Sequence, residues 1–172
     1  MKANAADDLL QQSGIYHGPE PMGTPFTIRE RVRWSDCDPA QIIYYGAYIR
    51  FFEIAETEMY RTLGLPYATA FQSLGCFPIR GTYHCEYRFP ARLDDLMEIA
   101  IWISYWGEKS LTVSFRFNRV DGGELLAEGY CKLVTVGLAD KRPVPIPDRL
   151  REGLRAYTVT DPPAAADERG AV

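Results

Sequence analysis

Over residues 26–34 the side chains alternate. Phe26, Ile28, Glu30, Val32 and Trp34 fall on one side, and Thr27, Arg29, Arg31 and Arg33 on the other. A period of two in a mostly apolar row predicts a strand with one buried face. The alternation stops at Asp36. From Gly46 it is replaced by a helical period, with Tyr48, Phe51, Phe52, Ala55, Met59 and Leu63 recurring at spacings of three and four. That is a wide apolar stripe. Arg50, Glu53, Thr57 and Arg61 lie mostly off it, and Glu56 and Glu58 are expected to face solvent or a partner. Gly64 and Pro66 supply a stop. The spacing therefore predicts one helix of about five turns over 46–63.

The rest of the chain returns to a period of two. Residues 65–77 read as a connection with room for a short helical piece at 67–74. Beyond Pro78, Ile79, Gly81, Tyr83, Cys85, Tyr87 and Phe89 alternate with polar neighbours, and Pro90 ends that strand. Three more strands are predicted over 96–106, 109–120 and 124–136. The last two are joined by Asp121-Gly122-Gly123, a strong hairpin signal. Pro143, Pro145 and Pro147 exclude regular pairing. A short final helix is expected over 148–157, with Asp148 near its start. Residues 1–24 and 159–172 read as tails flanking a single domain at 25–158, because glycine and proline punctuate the first and Pro162-Pro163-Ala164-Ala165-Ala166 dominates the second.

Strand, loop, long helix and four strands joined mostly by tight turns make an α+β protein with an antiparallel sheet. A helix apolar over so wide an arc requires the sheet to curl round it. The predicted architecture is the hot-dog fold, a five-stranded antiparallel sheet wrapped around one long central helix. Exposed sheet edges favour pairing of subunits, so a homodimer or homotetramer is expected.

Composition narrows the function. The 172 residues carry a net charge of -4, which leaves no basic footprint for nucleic acid. No apolar run approaches the ~20 residues of a membrane span, and the first residues lack the apolar core of a signal peptide, so a cytoplasmic protein is expected. Cys37, Cys76, Cys85 and Cys131 are widely spaced, and with only His17 and His84 beside them they form no metal-ligand pattern. Free thiols, no metal and no cofactor are expected. His84 reads as a satisfied strand histidine.

The chemistry concentrates between the first strand and the helix. Asp36-Cys37-Asp38-Pro39-Ala40-Gln41-Ile42-Ile43-Tyr44-Tyr45-Gly46-Ala47-Tyr48 holds two carboxylates two residues apart, then a proline, then a glycine where a helix begins. The unpaired N–H groups of a helix start favour developing negative charge. This stretch closely resembles the signature of the 4-hydroxybenzoyl-CoA thioesterase family, and the resemblance extends over about 26–136. It departs at Gln41, where the family usually has glycine, and at Ala47, where it usually has asparagine.

The resemblance implies an acyl-CoA substrate and a thioester hydrolase. It makes Asp38 the catalytic carboxylate, as nucleophile or general base, and the Tyr45 backbone N–H the oxyanion donor, with Gly46 beside it. Asp36 reads as structural. Taken alone, Asp38 before Pro39 reads first as an Asx turn, and it is the full motif that turns the reading to catalysis. Glu53 matches an acid that binds the substrate's ring, though a solvated acid beside Arg50 or Thr57 fits the spacing as well. Lys109, in the turn Gly107-Glu108-Lys109-Ser110, is the candidate for CoA phosphate, with Lys141 and Arg142 as substitutes for the arginines the family carries there. The acyl group is expected to be aromatic or of short to medium chain. Release from an acyl-carrier protein, or a non-catalytic module that binds acyl thioesters, are the competing readings.

Overall fold

A computed structural model of the chain describes residues 24–158, so the expected tails, Thr24 excepted, lie outside the described residues. Five strands, β1 (Phe26–Arg31), β2 (Cys76–Tyr87), β3 (Leu96–Trp106), β4 (Ser110–Arg119) and β5 (Leu125–Gly137), form one antiparallel sheet in the order β1-β3-β4-β5-β2. The central helix α1 (Ala47–Thr62) crosses its inner face, and α2 (Tyr67–Leu74) and α3 (Asp148–Leu154) lie outside the sheet's strand order. The α+β hot-dog architecture is the one expected.

The helix–sheet core is aromatic. Tyr48 meets Phe117 edge-on at 5.2 Å, Phe52 meets Phe115 at 5.3 Å, and Tyr83 stacks on Phe115 at 5.2 Å. Such pairs add specific geometry to the burial of large apolar rings. Room for Phe115 comes from Gly129 opposite it on β5. A Cβ there would collide with the His84 carbonyl oxygen and the Phe115 ring. His84 itself stacks on Tyr130 and hydrogen-bonds Glu86 at 3.0 Å.

Two strands differ from the pattern read in the sequence. β1 ends at Arg31, and Trp34 to Asp36 form a 3-10 turn that throws the Trp34 side chain outward, 82% exposed. In β2 the pairing with β5 slips between Arg80 and Thr82, leaving Gly81 as an extra residue. A bulge reverses which side chains face inward. Tyr83 and Cys85 pack on the core as expected, but upstream Ile79 is exposed and Arg80 turns under the helix.

Arg80 reaches Glu56, and this corrects a second expectation. Glu56 is only 1% exposed rather than solvated, and its Oε2 accepts from Arg80 Nη2 at 2.5 Å. Glu58, half-buried, pairs with Arg61 at 3.2 Å. Burial pushes the Glu56 carboxyl above the ordinary carboxylate range, against the opposing pull of the Arg80 charge. The Tyr60 hydroxyl and Glu56 Oε1 are buried beside this pair without a hydrogen bond. The helical period missed Glu56 because it lies between Phe52 and Tyr60 on the inward face, where an apolar residue is the rule and a paired acid the exception.

Candidate active site

The loop between β1 and α1 folds back on itself. Asp38 N–H donates to Ile42 O at 2.9 Å, and Tyr44 N–H to Asp36 O at 2.8 Å. Asp36 is the buried anchor. Its carboxylate accepts from the Arg33 N–H at 2.8 Å and from the Arg50 guanidinium, which lies over the Phe51 ring. Hydrogen bonds to a charged group are worth about 1.5–3 kcal/mol each. Asp36 therefore ties the loop to the first turn of α1, the structural role expected of it.

Asp38 sits at the bend. Gln41 N–H closes a turn onto its carbonyl at 2.9 Å, and Ala40 N–H donates to its Oδ1 at 2.8 Å. The Asx turn is thus present. It engages one carboxylate oxygen, and among the described residues Oδ2 has no hydrogen-bond or ion-pair partner. The turn ends with Gln41 at φ 63, in the left-handed region that glycine enters freely and other residues enter at a cost of about 1–2 kcal/mol. That is the physical content of Gln41 standing where glycine is usual.

The loop is laced to the segment between β2 and β3. Ile43 N–H donates to Ala91 O at 2.9 Å, and Ile42 forms a bridge with Arg92. An open groove of about 970 Å³ results, lined by Trp34, Ser35, Cys37, Asp38, Pro39, Ala40, Gln41, Ile42, Arg92 and Leu93. Cys37 shares this wall, but burial, then the charges of Asp36 and Asp38, hold its thiol above its ordinary range. A thiol so shifted is a poor thiolate nucleophile at neutral pH. The Asp38 carboxylate lines the same groove.

The loop leads into the helix start. Gly46 is the N-cap of α1, and no side chain caps it. The Tyr45 and Gly46 N–H groups donate to none of the loop's backbone carbonyls among the described residues. Tyr87 Oη donates to the Tyr45 carbonyl at 3.3 Å. Because the peptide is planar, a held Tyr45 carbonyl also fixes the direction of the Gly46 N–H. The Tyr45 ring is 64% exposed and packs on Tyr44 at 4.4 Å.

The remaining candidates are not brought to this place. Glu53 is exposed, seven positions along α1 from Gly46, and is not part of the groove wall. Lys109 lies in the turn after β3, whereas Asp38 adjoins the segment before it. The eleven residues of β3 separate the two ends by about 35 Å. Lys141 donates to the Leu138 carbonyl and sits over the Phe77 ring, and Arg142 is 4.0 Å from Asp140. Trp34, Arg92 and Leu93 escaped the sequence reading. Trp34 was assigned to a strand face, and the Ile42–Arg92 bridge joins residues fifty positions apart with no local signal.

A curled antiparallel sheet around one buried helix, with an acid-bearing loop entering an uncapped helix start, defines a hot-dog protein of the thioesterase type. The chain belongs to the thioesterase-like superfamily, which matches residues 32–154. It is 31% identical over 117 residues to the acyl-CoA thioester hydrolase YbgC of Escherichia coli, covering 68% of this chain and 86% of that protein. It is 29% identical over 106 residues to the 4-hydroxybenzoyl-CoA thioesterase of a Pseudomonas species, covering 59% and 74%. A hypothetical protein of known structure from Aquifex aeolicus superposes with a TM-score of 0.70 at 27% identity, over 76% of this chain and 100% of that one. The family resemblance read from the loop is borne out.

Proposed function

We propose that this thioester hydrolase cleaves acyl-CoA to free acid and CoA, with Asp38 as the reacting carboxylate. The observation that carries the reading is the state of that side chain. One oxygen is oriented by the Ala40 N–H and the other is unengaged, in a residue that lines a groove. Asp38 acts either by attacking the thioester carbonyl or by taking a proton from water. The Tyr45 and Gly46 N–H groups receive the oxyanion, a contribution of about 3–4 kcal/mol per preorganised donor.

The test is thiol release by the purified protein from a panel of aromatic and short- to medium-chain acyl-CoAs. Release from at least one is expected, and no release from any, with binding retained, would leave the non-catalytic reading in its place. A strong preference for the same acyl group on a carrier protein would transfer the activity to that substrate.

Two copies are inferred to pair. β2 is a twelve-residue edge strand with Ile79 and Tyr87 exposed, the kind of edge that stable proteins cover. Lys109 is too distant to serve Asp38 of its own chain, so any role for it at the site needs the second copy. Sedimentation should give a dimer or tetramer, and a monomer at micromolar concentration would remove Lys109 from the site.

A further inference from the structure

The groove that contains Asp38 has features the reaction at its carboxylate does not use. Trp34 offers an indole that is 82% exposed although the residue is held in a 3-10 turn closed by Cys37 N–H to Trp34 O at 3.2 Å. Leu93, 46% exposed, lies on the same groove. Arg92 is fixed at its backbone, where its N–H donates to Asp95 Oδ2 at 2.8 Å, but its guanidinium has no hydrogen-bond or ion-pair partner among the described residues. The neighbouring arginines are engaged. Arg33 pairs with Glu30 at 3.6 Å, Arg50 with Asp36, and Arg119 with Asp95 and Glu124. Asp95, the acid closest to Arg92 in sequence after Asp94, is therefore already neutralised.

A solvent-exposed guanidinium without a protein partner among the described residues and an exposed aromatic face on one open groove match a ligand that is anionic at one part and apolar or flat at another. An acyl group alone does not ask for the cation. The arm that carries the thioester sulfur does, because it bears phosphate. Lys109 of the same chain, the cation expected for that phosphate, is at the other end of β3.

We propose that the groove formed by Trp34, Arg92 and Leu93 beside Asp38 seats the phosphorylated pantetheine arm of the substrate, with Arg92 on its phosphate and Trp34 against its apolar part. The assignment rests on the thioesterase reading above and adds to it which residues select the leaving group. The phosphorylated arm is common to CoA and to acyl-carrier proteins, so the probes must separate the two sources.

The experiment compares one acyl group carried on CoA, on phosphopantetheine, on unphosphorylated pantetheine and on a carrier protein, using wild type, Arg92→Ala, Arg92→Lys and Trp34→Ala. All replaced side chains are exposed, so folded protein is expected, and circular dichroism checks it. Wild type should favour the phosphorylated carriers over pantetheine in kcat/KM. Arg92→Ala should shrink that preference roughly tenfold, mainly through KM, and Arg92→Lys should restore most of it. Trp34→Ala should raise KM for every thioester. An Arg92 effect on CoA and phosphopantetheine but not on the carrier protein identifies CoA as the source of the arm, and the reverse identifies the carrier. Continued hydrolysis with an unchanged phosphate preference in Arg92→Ala overturns the groove assignment alone. So does a change in acyl-chain preference on a fixed arm, which would place the acyl group in the groove. Absence of hydrolysis by wild type on all four carriers overturns the function itself.

Discussion

Asp38→Asn is expected to lower kcat for acyl-CoA hydrolysis by about 10²–10⁴-fold, the usual contribution of a positioned acid or base, with no change in melting temperature. The choice of asparagine makes the experiment decisive. Its side-chain oxygen still accepts from the Ala40 N–H, so the Asx turn ahead of Pro39 survives. If Asp38 only shapes the bend, the variant keeps its activity. If Asp38 attacks the thioester or activates water, the neutral amide does neither and activity collapses. Rates of thiol release at saturating substrate, together with a thermal melt, separate the two outcomes. Equal turnover by both proteins would remove Asp38 from the mechanism.

The second large effect is on stability. Arg80→Ala is expected to cost about 3 kcal/mol at pH 7.5, the lower end of what breaking a buried ion pair costs, since Arg80 keeps partial access to solvent. The cost arises at Glu56, which stays buried and loses its partner. Its pH dependence has a definite sign. In the native state the Glu56 carboxyl already lies above its unfolded value because burial outweighs Arg80. A group raised in this way contributes stability that is complete below the unfolded pKa and fades as pH climbs through the folded one. Removing Arg80 raises the folded value further and widens that loss. The deficit of the variant should therefore be larger at pH 7.5 than at pH 5, because a carboxyl raised by burial is increasingly charged as pH climbs. Urea denaturation at both pH values measures it. Adding Glu56→Gln should abolish the pH dependence, and a deficit equal at both pH values would show that Glu56 is not its source.

Much of the fold was legible because its elements advertise themselves locally. The stripe from Tyr48 to Met59 is buried against the sheet as its period requires, and Asp148 opens α3. β3 begins at Leu96 and ends at Trp106, the bounds that alternation predicts. The errors fall where a short-range pattern is interrupted by something distant. A single extra residue at Gly81 cannot be seen in an alternating row, yet it turns Ile79 out and Arg80 in. The strand pattern through Trp34 was real as a pattern, but the pull of Asp36 on the Arg33 N–H ends the strand early.

The order of residues alone determined the helix, the strands, their antiparallel sheet and the acid-bearing loop at the helix start, because period, turn residues and motif spacing act over a few positions. Tertiary structure decided what surrounds that loop. It set Arg92 and Leu93 against it, left Trp34 exposed beside it, carried Lys109 to the far end of β3 and buried Glu56 on Arg80. These are contacts between segments tens of residues apart, fixed by strand register and by which charges find partners when the chain closes. No local run of side chains encodes a register, so such neighbours appear only once the sheet has formed.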